Sequence, residues 1–150
     1  MFSNISYLFN VFESSINKIN FEDMIFAINH TNKYIIINTL PIQEQDCLIK
    51  NTISIDQEER IINDLIDDYS VSDKYIVIYG KNTSDYNAEK KYKQLVKLGF
   101  KNVYLYPGGL FEWMLLQDIY GDDQFPTTKK IMDILKYKPM RILNVQFIKY

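Results

Sequence analysis

Tyr75-Ile76-Val77-Ile78-Tyr79-Gly80-Lys81-Asn82-Thr83-Ser84-Asp85-Tyr86-Asn87-Ala88 changes character twice within fourteen residues. Its first five are β-branched or aromatic and read as a buried strand. Gly80 to Asn87 are mostly small and polar and read as a loop. From Ala88 the apolar residues Ala88, Tyr92, Leu95 and Val96 take up helical spacing. Glu89, Lys90, Lys91, Lys93 and Lys97 fall on the opposite, solvated side. Gly99 reads as the left-handed cap that ends this helix. A strand, a tight loop and a helix N-terminus in that order bring backbone N–H groups together where an anion can sit. The loop contains no Cys, His or Arg, so neither a thiol nucleophile nor a guanidinium clamp is at hand.

The same alternation continues on both sides. Upstream, Ile5, Leu8, Phe12 and Ile16 give helical spacing from Ser3 to Asn17, for a helix that packs on its own domain or docks on a partner. A second helix starts with Asn20 as cap, Glu22 and Asp23 in its positive first turn, and Met24, Ile25 and Ile28 inward. His30 falls at its end, where a histidine caps carbonyls or meets solvent. Tyr34-Ile35-Ile36-Ile37 is a buried strand that Pro41 stops. Ile49 to Ile55 is a short extended segment with Ile49, Ile53 and Ile55 inward. Ser54 to Tyr69 holds a helix with Ile61, Ile62, Leu65 and Ile66 on one face and Asp56, Glu58 and Glu59 at its N-terminus.

Downstream, Val103-Tyr104-Leu105-Tyr106 is a strand, and Pro107-Gly108-Gly109 turns into a helix from Leu110 to Tyr120 that Gly121 closes. Phe125-Pro126-Thr127-Thr128 is expected to open a short helix, capped by Thr127 or Thr128 and ended by Pro139. Arg141 to Tyr150 alternates as a strand or extended arm. Strands separated by helices specify a parallel α/β sheet.

Composition narrows the function classes. The chain has 150 residues, 47% of them hydrophobic, with a net charge of −2, enough for one domain with a real core. Acidic and basic residues are interspersed, which gives nucleic-acid binding no electrostatic support. Arg60 and Arg141 are the two arginines against fifteen lysines, leaving little capacity for bidentate phosphate clamping. One cysteine, Cys47, and one histidine, His30, exclude an internal disulfide and a Cys/His zinc site. The start lacks a basic n-region and no apolar run is long enough to span a bilayer, so a soluble cytoplasmic protein without a membrane role is expected. Asp122-Asp123 reads as a solvated turn, and Gly108-Gly109 as a turn requirement, since no lysine follows in phosphate-loop spacing. Phe111, Trp113, Tyr104 and Tyr106 read as core and rim packing. No cofactor is expected.

From Ile19 to about Tyr120, roughly two-thirds of the chain, the order of elements resembles a rhodanese-like domain. Asn20-Phe21-Glu22-Asp23 followed by Tyr34-Ile35-Ile36-Ile37-Asn38 is similar to the family's first helix and its strand ending in Asp. Leu48-Ile49-Lys50-Asn51-Thr52-Ile53-Ser54-Ile55 is similar to its "G-H-I-P-G-A-x-x-I" segment, without the Gly, His and Pro. Tyr75 to Gly80, the helix to Gly99-Phe100, the strand Val103 to Tyr106 and Gly108-Gly109-Leu110-Phe111-Glu112-Trp113 match its "G-G-x-x-x-W" tail. The run Phe111 to Gly121 and Phe125-Pro126-Thr127-Thr128 resemble homologues of large DNA viruses and protists, for which host cytoplasm or a virion is the setting. The resemblance implies a three-layer fold with a central parallel sheet flanked by helices. It divides the chain into an N-terminal helical extension (1–18), a rhodanese-like domain (19–121) and a C-terminal extension (122–150) packed on the domain or on a partner.

The resemblance also implies a site, and the chain departs from it. Active members carry a sulfur-accepting Cys at the end of the central strand, and Gly80 stands there. A sulfurtransferase needs a thiolate to attack its donor. Their loop usually holds an Arg, whereas this chain has Ser84-Asp85-Tyr86, and Asp85 would repel an anion. The loop Gly80, Lys81, Asn82, Thr83, Ser84, Asp85, Tyr86 is thus a degenerate active site without catalytic residues. The expected function is a catalytically inactive module that binds a protein or a second copy of itself. The alternative is a sulfurtransferase- or phosphatase-like enzyme with a displaced nucleophile. That nucleophile would be Cys47, otherwise a buried structural thiol, or Ser84 (or Thr83) with Asp85 as base.

Overall fold

A computed structural model describes residues 15–143. The expected Ser3–Asn17 helix and the Arg141–Tyr150 strand lie almost wholly outside the described residues. The elements run α1 (Phe21–Ile28), β1 (Tyr34–Asn38), α2 (Ile55–Asp67), β2 (Tyr75–Tyr79), α3 (Tyr86–Lys97), β3 (Val103–Tyr106) and α4 (Gly109–Tyr120). Short 3-10 turns cover Ile42–Glu44 and Ile134–Tyr137. The sheet is parallel in the order β1-β2-β3, with Ile36 beside Val77 and Val77 beside Tyr104.

Local chemistry sets the helix starts. Asn20 and Ser54 each form a reciprocal capping box, with Asp23 and Gln57 respectively. The strands are buried on both faces, as a sheet between two helical layers requires. On one face α1 and α4 bring Met24, Ile28, Leu110 and Trp113 onto Ile36, Val77, Tyr79 and Tyr106. On the other, α2 and α3 bring Ile62, Ala88, Tyr92 and Leu95 onto Ile37, Ile76, Ile78 and Leu105. This is the three-layer arrangement the sequence predicts.

Both outer edges of the sheet are covered. Ile53 N donates to Ile36 O (3.0 Å) beside β1. Along β3, Leu105 N donates to Asn17 O (2.8 Å) and Ile19 N to Leu105 O (2.9 Å). Covering edges removes the free donors and acceptors that invite another strand.

Three expectations need correction. Ile55 is 41% exposed rather than inward, because it is the first helical residue after the Ser54 cap. Val96 is 38% exposed, because Ala88, Tyr92 and Leu95 already fill the buried stripe of α3. Thr127 and Thr128 cap no helix. Thr127 bridges Ile49, Thr128 N donates to Leu48 O (2.8 Å), and Lys50 N donates to Pro126 O (3.1 Å). Tertiary partners take the groups a helix would use.

The segment after Gly121 contributes to the core. Phe125 packs edge-on to Trp113 at 5.1 Å and tilts against Phe21 at 5.8 Å. Trp113 Nε1 donates to Pro126 O (3.1 Å), and Gln117 Nε2 to Phe125 O (2.7 Å). Tyr137 is likewise buried. Phe125→Ala is expected to cost about 3–5 kcal/mol, and truncation after Gly121 more, since it also removes Tyr137. Urea unfolding of both variants checks the order.

Candidate functional site

The loop Gly80–Asp85 leaves β2 at its C-terminal end and enters α3. It is fixed from three sides. The first is α4. Gly109 has φ +67°, and a Cβ there would lie 2.6 Å from Gly80 O and 3.0 Å from Asn82 N. That close approach, together with the positive φ, requires glycine. It lets Leu110 N donate to Gly80 O and Phe111 N to Lys81 O, each at 2.9 Å. The N-terminal amides of α4 are thus taken by loop carbonyls.

The second side is the loop's own carboxylate. Asp85 caps α3: one oxygen accepts from Asn87 N and the other from Lys81 N, both at 3.0 Å. Ser84 N donates to Asn82 Oδ1 (3.0 Å). The amides that could have cradled an external anion at Lys81, Ser84 and Asn87 are therefore already partnered. Asp85 also crowds Gly80, since a Cβ on Gly80 would fall 2.6 Å from Asp85 Oδ2 and 3.2 Å from Ala88 Cβ. The cleft left above Gly80 measures about 80 Å³, lined by Asn82, Thr83, Asp85, Tyr106 and Pro107 among others.

The third side is the C-terminal segment. Asn82 Nδ2 donates to Tyr137 O (3.0 Å) and Lys81 Nζ lies 6.0 Å above the Tyr137 ring. Lys81 also pairs with Glu44 at 3.1 Å. Tyr106, at the end of β3, donates from its hydroxyl to Glu112 on α4. Burial, and then Glu112, hold that phenol protonated well above its usual range.

Residues 22–116 match the rhodanese-like domain family. The chain belongs to that family. Three solved structures give the same fold. The Alr3790 protein of Anabaena sp. has TM-score 0.54 and 18% identity, with 79% of this chain and 97% of that one covered. A single-domain sulfurtransferase of Saccharomyces cerevisiae has TM-score 0.53 and 16% identity, with coverage of 76% and 98%. A yeast protein tyrosine phosphatase of the rhodanese family has TM-score 0.56 and 12% identity, with coverage of 81% and 99%. No curated protein matches by sequence.

Within this rhodanese-like domain the residues singled out from sequence are not gathered into one site. Cys47 is fully buried beyond the loop, and its thiol donates to Lys129 O at 2.9 Å. Burial pushes it above the ordinary thiol range, which keeps it protonated and non-nucleophilic at neutral pH. Ser84 and Thr83 are exposed, and Asp85 already accepts from two amides. His30 stands at the opposite end of the sheet: its Nδ1 is 2.7 Å from Phe26 O, and its carbonyl accepts from Tyr34 N, the first residue of β1. A five-residue strand spans about 16 Å, so His30 serves no loop hydroxyl. Among the described residues no His/Cys/Asp/Glu group is arranged to hold a metal ion, and no helix is long and apolar enough to cross a membrane.

Sequence reasoning missed Glu44 and Tyr137. Both reach the loop across long sequence separations, and no local spacing announces them.

Two predictions follow from this packing. Gly109→Ala combines a left-handed backbone with overlap on Gly80 O and is expected to cost about 2–4 kcal/mol. Gly99→Ala, with φ +102° and open space around it, should cost about 1 kcal/mol; equal shifts in urea midpoint would refute the close-approach argument. Cys47 should resist a thiol reagent at pH 8 in the native protein and react at once in denaturant.

Proposed function

We propose that this rhodanese-like domain is catalytically inactive and works as a protein-binding or structural module in a soluble, intracellular setting. The observation that carries the reading is Gly80 at the C-terminal end of β2, where active members of the family place the sulfur-accepting Cys. Glycine offers no group to attack a sulfur donor or hold a persulfide. The Asp85 carboxylate supports the same reading, because it puts negative charge where an anionic donor would arrive and shares the space a Gly80 side chain needs. Residues 19–121 form the rhodanese-like unit of this proposal, with 1–18 and 122–150 as extensions.

The test is thiosulfate:cyanide sulfurtransferase activity. Wild type is expected to give no turnover. Gly80→Cys alone should also stay silent, its side chain colliding with Asp85. Gly80→Cys with Asp85→Ser, which keeps a capping hydroxyl and shortens the side chain, is expected to gain activity. Turnover by wild type that disappears in Cys47→Ser would overturn the proposal.

A further inference from the structure

A second, wider opening lies away from the loop. It is a groove of about 560 Å³ between α2 and α3. Its base is apolar, with Ile62 and Leu95, while Glu58 and Glu59 rise on one wall and Lys90 and Lys91 on the other. Long polar side chains on both facing surfaces keep the helices apart, and one ion pair, Lys91 to Glu58 at 2.7 Å, bridges them. Ile55 and Leu98, both lining the groove, remain 41% and 48% exposed.

The charge on this face is segregated by helix. α2 carries five acids, Asp56, Glu58, Glu59, Asp64 and Asp67, against Arg60, a net of −4. α3 carries four lysines against Glu89, a net of +3. The overall charge of −2 conceals an acidic helix lying beside a basic one. Both helices return antiparallel to the same parallel strands, so they run in the same direction.

Such a face is complementary to itself. A two-fold axis along the groove lays α2 of each copy over α3 of the other and leaves heights along the groove unchanged. Glu58 and Lys91 are level, as their ion pair requires. At 1.5 Å per residue, Glu59 then comes within about 3 Å of the height of Lys90 of the second copy, and Asp67 within about one turn of its Lys97. All four are exposed. A two-fold axis across the groove would instead set acid on acid and lysine on lysine.

We propose that a second copy of this chain docks on the α2–α3 face, giving an isologous dimer held by reciprocal α2-to-α3 charge pairing, with Ile55 and Leu98 covered at opposite ends of the groove. Helices of 13 and 12 residues offer a face of about 20 Å by 20 Å, about 800 Å² over the two copies, which is the size of a weak, transient interface. Charge therefore supplies much of the attraction, and the dimer responds to salt. The inference deepens the binding-module reading by naming the partner.

Sedimentation or light scattering on the full chain tests it. A dimer is expected near 0.01 M salt and a monomer near 1 M, as the screening length falls from about 30 Å to 3 Å. The pair Lys90→Glu with Lys97→Glu, and separately Glu59→Lys with Asp67→Lys, should each give monomers at low salt. An equimolar mixture of the two variants should recover the dimer mass, which misfolded chains could not do. A wild-type monomer at low salt, a dimer indifferent to the reversals, or a mixture that stays monomeric would overturn the proposal. None of these outcomes alters the sulfurtransferase assay, so failure here is separable from failure of the inactive-loop reading.

Discussion

The structure depends on the contact between the start of α4 and the loop that leaves β2. Gly109 comes close enough for Leu110 N and Phe111 N to satisfy Gly80 O and Lys81 O. Unpaired helix-start amides are what an α/β protein usually offers to an anionic ligand. Here they join two pieces of the same chain. Once that joint is made, α4 lies with Trp113 in the core, Tyr106 meets Glu112, and the Asp85 cap sets the direction of α3.

The loop is thereby a structural joint in which the Lys81, Ser84 and Asn87 amides are taken internally. A carboxylate from the chain sits where a ligand carboxylate, sulfate or phosphate would compete for the Lys81 and Asn87 amides. A ligand entering there would have to displace a charged hydrogen-bonding group, and hydrogen bonds to charged groups contribute about 1.5–3 kcal/mol each. Glu44 and Tyr137 close over Lys81 from outside.

The elements with strong local signals were legible in the sequence. The Tyr75–Tyr79 run, the Asn20 cap and the Gly99 stop each depend on neighbours within a few residues, and they stand where the pattern puts them. Gly80 at the strand end could also be read directly. The segment after Gly121 could not. Pro126 O, Thr127 and Thr128 bond to Trp113, Ile49 and Leu48, partners that no helical periodicity reveals, so an expected helix became an extended strap. The Asp85 charge was readable in the sequence, but its crowding of Gly80 required the turn of the chain in space.

The placement of Phe125 and Tyr137 bears on how the protein is made. Both fill the core built by α1, β2 and α4, yet both follow α4 in the chain. A chain carried only through Gly121 holds α1 to α4 and β1 to β3 but leaves a vacancy beside Trp113. Tyr137 lies sixteen residues further on, so the sheet and its helices precede in the chain the side chains that fill this side of the core. Until those residues are in place the Trp113 pocket is an exposed apolar surface on a nearly complete domain. Sealing the domain therefore waits on this strap, and a product that stops before Tyr137 is left sticky and incompletely packed.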